Sequence, residues 1–124
     1  MIATDTSSLS AYFGGQKGRD VDLVHDHMAA GSLILPHVVL AEALSAPDIT
    51  PALMAIISAF QRATISDGYW ERCGAARRLL RTKGLRARLG DALIAQACLD
   101  NDLPLVTRDA DFRHYAAHCG LKLA

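Results

Sequence analysis

No apolar run in the chain approaches the ~20 residues that cross a bilayer, so no membrane-spanning helix is expected. The N-terminus lacks a basic segment followed by an apolar one, so no secretory signal is read and a cytoplasmic location is expected. Cysteine is scarce: Cys73, Cys98 and Cys119 are odd in number, widely separated and form no C-x-x-C pair. That excludes a disulfide framework and argues against zinc, leaving reduced core residues. Internal repeats, low-complexity stretches and any loop long enough to be a linker are also missing, as is net charge. What remains is 124 residues with 51% hydrophobic content, the profile of one domain spanning 1–124. A chain of this size buries about two-thirds of its unfolded surface and builds a core without staples.

The zero net charge conceals an asymmetry. Residues 1–60 hold two basic and six acidic groups, whereas residues 61–124 hold eleven and seven. Between positions 72 and 88 there are seven basic residues and no acid: Arg72, Arg77, Arg78, Arg81, Lys83, Arg86 and Arg88. Such a block suits a polyanion, with a solvated helix face as the plain alternative.

The pattern predicts alternating strands and helices. Met1–Asp5 reads as a strand, Thr6–Phe13 as a short helix, and Asp20–Ala30 as a helix stopped by Gly31. Ser32–Leu35 is continuously apolar, the mark of a buried strand. Pro36 suits the first turn of a following helix. Thr50-Pro51 is a cap and an N1 proline, opening a helix with Leu53, Ile56, Ile57 and Phe60 on one face, a candidate for core, dimer seam or partner groove with core as the default. Helices are expected from about Asp67 to Lys83, over Asp91–Asp100 and over Asp111–His118. Pro104–Thr107 and Leu121–Leu123 read as strands. Alternation of this kind implies an α/β fold with a parallel sheet, and ligands in such folds bind beyond the carboxyl ends of the strands.

Four acids stand at those ends or near them. Asp5 closes the first strand, Glu42 lies about two turns into the helix after the second, Asp91 opens Gly90-Asp91-Ala92-Leu93-Ile94-Ala95, and Asp109 follows Leu105-Val106-Thr107-Arg108. Acids that interrupt apolar segments are expensive to bury unless paired or bound to a cation. Brought together, they call for a divalent metal, and carboxylates with water are the ligands that Mg²⁺ and Mn²⁺ prefer. Taken singly, Asp91 and Asp109 would suit helix capping, while Asp5 has little local reason to be there. The histidines build no rival centre: His114 and His118 share a face beside Cys119 but have no partner cluster. Trp70, Tyr12, Tyr69 and Tyr115 read mainly as packing groups, with base stacking as the alternative.

Together, Ile2-Ala3-Thr4-Asp5-Thr6-Ser7-Ser8-Leu9, Leu40-Ala41-Glu42, Leu89-Gly90-Asp91-Ala92-Leu93-Ile94-Ala95 and Leu105-Val106-Thr107-Arg108-Asp109-Ala110-Asp111-Phe112 resemble the PIN-domain ribonucleases, and among them the VapC-type toxins of toxin–antitoxin pairs. The resemblance covers essentially the whole chain. It implies a three-layer α/β fold with a short parallel sheet of about four strands between helices, and a metal-dependent endoribonuclease. Asp5, Glu42, Asp91 and Asp109 match the catalytic acids, with Asp5, Asp91 and Asp109 as ligands of Mg²⁺ or Mn²⁺. Asp111 competes with Asp109 for the last place and is assigned a supporting part with Ser7 and Thr107, whose hydroxyls can hold a carboxylate or a water. The serine two positions after the first acid matches what the family usually carries there. Arg77, Arg78, Arg81, Arg86 and Arg88 are the expected RNA-holding residues, because an acidic pocket needs flanking cations to retain a phosphate backbone. The resemblance further implies a structured RNA such as tRNA as substrate, a homodimer, and a VapB-type antitoxin that covers the groove. Three rivals are a response-regulator-like signalling domain, a PIN-like module that binds without cutting and a Mg-dependent phosphohydrolase using Asp5 as nucleophile. The first usually carries a paired acid at the end of the first strand and a late Lys after an apolar strand, and neither is present. The phosphohydrolase usually has another Asp two positions on, where this chain has Ser7.

Overall fold

The computed structural model describes residues 1–124. In chain order the elements are β1 (Ile2–Thr4), α1 (Thr6–Phe13), α2 (Arg19–Ala29), β2 (Leu33–Leu35), α3 (His37–Leu44), α4 (Pro51–Ser58), β3 (Gln61–Arg62), α5 (Tyr69–Thr82), α6 (Leu89–Asp100), β4 (Leu105–Val106) and α7 (Phe112–Cys119). The four strands form one parallel sheet in the order β3-β2-β1-β4, flanked by the seven helices. Ala3 pairs with Ile34 on one side and with Leu105 on the other, so β1 is central. Every residue of β1, β2 and β4 is buried, which is why these strands are apolar without alternation.

The chain runs from β1 outward through β2 to β3, then crosses to the far side of β1 to lay down β4. Connections therefore leave β1 and β4 in opposite directions. Their carboxyl ends flank the crevice where such sheets bind ligands. Asp5 follows β1 and Thr107-Arg108-Asp109 follows β4, so topology alone delivers these residues to one rim.

Local signals place most boundaries. Thr50 Oγ1 accepts a bond from the Leu53 amide at 3.2 Å, and Pro51 opens α4. Gly31 and Gly84 have φ of +69° and +72°, the left-handed conformation that lets the chain leave α2 and α5. The fourth strand differs from expectation. It is β3, an exposed polar pair on the sheet edge, held partly by the Ala63 amide bonding the Leu35 carbonyl at 2.9 Å. Leu121–Leu123 contributes only an isolated bridge between Leu123 and Leu105. The proposed core face of α4 is also only partly core: Ile57 is buried, while Ile56 is 50% exposed. No helix is long and apolar enough to cross a membrane.

Candidate functional site

Asp5 is 3% exposed and performs two tasks. Its Oδ1 accepts from the Ser8 amide at 3.0 Å, capping α1. Ser7 Oγ lies 2.9 and 2.8 Å from the two carboxylate oxygens, and Thr107 Oγ1 donates to Oδ2 at 2.6 Å. Thr107 Oγ1 accepts in turn from the Asp109 amide at 3.0 Å. Asp109 Oδ1 then accepts from the Asp111 amide at 2.9 Å. One chain of bonds thus runs from the end of β1 across to the turn after β4. It fixes two carboxylates relative to each other through a threonine hydroxyl.

Asp91 reaches the same place from the first turn of α6. Ligand oxygens of Asp91, Asp109 and Asp111 all lie within 4.8 Å of one another, the one group of three close metal-ligating side chains in the molecule. Crowding at this spacing bears on Asp91. Burial, then the neighbouring Asp109, Asp111 and Asp5, push Asp91 up to about 6 against the opposing pull of Arg88. Burial also raises Asp5 above its ordinary value, despite the bonds from Thr107, Ser8 and Ser7, and Asp109 adds to the rise. Partly buried carboxylate oxygens crowded this closely fit a hard divalent cation, whose charge would relieve the repulsion.

The remaining expected residues distribute themselves unequally. Glu42 is exposed on α3 and lies outside the three-carboxylate group. Its Oε1 accepts from Thr6 Oγ1 at 2.9 Å, which leaves it beside the first turn of α1. Arg86 and Arg88 point at the acids: their nearest nitrogens are 3.7 and 3.6 Å from Asp111 Oδ2, exposed pairs that contribute little by themselves. Arg77 donates Nε to the Ala87 carbonyl at 2.8 Å and so braces the turn between α5 and α6. Arg78 and Arg81 are exposed and pair with no acid of the chain. A Cβ added at Gly90 would meet nothing within 4 Å, so close backbone approach is not what this glycine provides.

Two residues at the rim escaped the sequence reading. Arg108 holds Asp20 with both arms, Nε to Oδ2 at 2.8 Å and Nη2 to Oδ1 at 3.0 Å, and Nη1 reaches Gln16 at 2.6 Å. Ser8 Oγ completes the set with a 2.8 Å bond to Asp20. Arg108 first of all keeps the Asp20 carboxyl down at about 2. This clamp pins the start of α2 to the turn that carries Asp109. Asp20 and Arg108 are 88 positions apart, and no periodicity or motif joins them.

A family model described as "PIN domain" matches residues 2–118 of the chain. No protein of curated function matches it.

Proposed function

The chain belongs to the PIN-domain family, and from that membership and the carboxylate geometry we propose that it is a metal-dependent endoribonuclease, the VapC-type toxin of a toxin–antitoxin pair. PIN domains are generally nucleases that use divalent metal ions. The observation that carries the reading is the meeting of Asp91, Asp109 and Asp111 within 4.8 Å, with Asp5 tied to Asp109 through Thr107.

Asp91, Asp109 and Asp111 would hold the cation, Mg²⁺ or Mn²⁺, with Asp5 beside them. A cation bound there supplies positive charge for a phosphodiester oxygen and lowers the pKa of a bound water. The chain's own contribution is positional. Thr107 and Ser7 fix the Asp5 carboxylate in one orientation, and the Thr107–Asp109 bond transmits that orientation to the second strand end. The raised affinity of Asp91 for protons makes it the group that must ionise as a cation enters. Arg78 and Arg81, free of internal partners, are the natural holders of flanking phosphates. The acid landmarks of the sequence support the toxin assignment, with a homodimer, a VapB-type antitoxin and RNA such as tRNA as its partners.

The test is cleavage of RNA with Mg²⁺ or Mn²⁺, with and without chelator, comparing the parent with Asp5→Asn. Cleavage should require the metal and fall by at least about a hundredfold in the variant. Cleavage that survives both chelation and Asp5→Asn would refute the assignment. RNA that is bound but never cut would favour a binding module instead.

A further inference from the structure

Four residues recur along the outer side of α5 at spacings of three and four: Trp70, Gly74, Arg77 or Arg78, and Arg81. Trp70 is 63% exposed, the most exposed large aromatic in the molecule. Its ring is held edge-on against Tyr69 at a centroid distance of 5.1 Å. Tyr69 is itself buried and donates its hydroxyl to the Leu93 carbonyl at 2.6 Å. The tryptophan is therefore an apolar platform presented to solvent on a rigid footing, at a position where burial offers no explanation for it.

Gly74, one turn further on, sits in the middle of a fourteen-residue helix. A glycine there costs the helix about 1 kcal/mol relative to alanine. A Cβ at this position would meet nothing within 4 Å, so close packing does not require the glycine. Its effect is open space. Gly74, Arg77, Arg78, Arg81, Thr82 and Leu89 line a groove of about 540 Å³. Leu89, the first residue of α6, contributes to its lining. From Trp70 to Arg81 the helix extends about 16 Å, enough for several nucleotides of single strand.

We propose that this groove is a track for single-stranded RNA, in which a base several nucleotides from the scissile bond stacks on Trp70 while Arg78 and Arg81 hold the intervening phosphates. The inference rests on the nuclease reading for its direction: Leu89 is the part of the groove nearest in sequence to Asp91. Its recognition chemistry stands independently: a cationic groove beside an aromatic face is how proteins hold unpaired strands, and a duplex keeps its bases out of reach of such a face.

Trp70 is the single tryptophan of the chain, so its fluorescence reports on this position alone. The experiment titrates the full-length protein in chelator, where no cutting occurs, with a short single-stranded oligouridylate and with an RNA duplex of equal length. Quenching is expected with the single strand and not with the duplex. Read by anisotropy of a dye-labelled oligouridylate, because these variants carry no tryptophan, Trp70→Phe should bind within about twofold of the parent, and Trp70→Ala about five- to a hundredfold more weakly. Arg78→Glu with Arg81→Glu should weaken binding and flatten its salt dependence. Gly74→Glu should weaken binding as well, while Gly74→Ala, which fits the helix, reports that α5 is intact. Equal quenching by duplex, or unchanged affinity in Trp70→Ala, would overturn the proposal, as would an oligoaspartate peptide that displaces the RNA and quenches equally. Metal-dependent cleavage without any quenching would remove the track and leave the nuclease. Quenching without cleavage would keep the track and remove the nuclease.

Discussion

At Asp5 a single carboxylate serves as helix cap and as neighbour to the acid cluster, and its two oxygens are held by Ser7, Ser8 and Thr107. Asp91 has no such support, and burial with three nearby acids lifts it from 3.8 to about 6. Its folded-state pKa thus exceeds the unfolded one, so the folded protein binds this proton more tightly. The resulting stability is fully present below the unfolded pKa and is lost as pH rises through about 6. Metal-free Asp91→Asn should therefore melt higher than the parent near pH ~8 and the same near pH ~3. Manganese should raise the parent's Tm at the higher pH, lose that effect below about pH 6 as protons compete, and leave Asp91→Asn nearly unmoved. A thermal melt series across pH, with and without Mn²⁺, reads all of these. An Asp91→Asn variant less stable than the parent at high pH without metal would contradict the electrostatic account. The sequence exposed Asp5, Asp91 and Asp109 because each interrupts an apolar segment. Asp111 was harder to rank, since its approach to Asp91 depends on how the turn after β4 folds.

At the scale of elements, caps and left-handed glycines were readable and long-range pairing was not. Thr50-Pro51 starts α4 as read, and α5 ends at Gly84, because these signals act within one turn. Strand β3 left no trace: Gln61-Arg62 has neither apolar character nor alternation, and it is a strand because β2 offers it an edge. Leu121–Leu123 had the better pattern and yet forms only a bridge, since its register touches Leu105 alone. Helix α5 carries the site indirectly. Leu80 is fully buried against the core, and the Leu85 amide bonds its carbonyl at 3.0 Å, setting the turn that leads to Asp91. Leu80→Ala should lower stability by about 2–5 kcal/mol in urea unfolding. A loss below about 1 kcal/mol would mean that α5 repacks freely.

For the molecule as a whole, the charge asymmetry resolves into two features, an acid cluster at the sheet's rim and a basic groove on α5. If the chain is a toxin, inducing it should arrest growth, and co-expressing a short upstream gene product should relieve the arrest. Normal growth with the soluble parent at high level would count against the toxin assignment. Composition and local pattern carried the α/β class and the strands β1, β2 and β4, and marked Asp5, Asp91 and Asp109 as candidates, because burial and helix capping leave marks on residues close together in the chain. Tertiary structure alone decided that Asp109 and Asp111 both face Asp91, that Arg108 clamps Asp20, that Glu42 stands apart on α3 and that Trp70 is left in solvent. Each of these depends on contacts between residues distant in the chain or on which face of a helix the core leaves uncovered, and neither is written in local order.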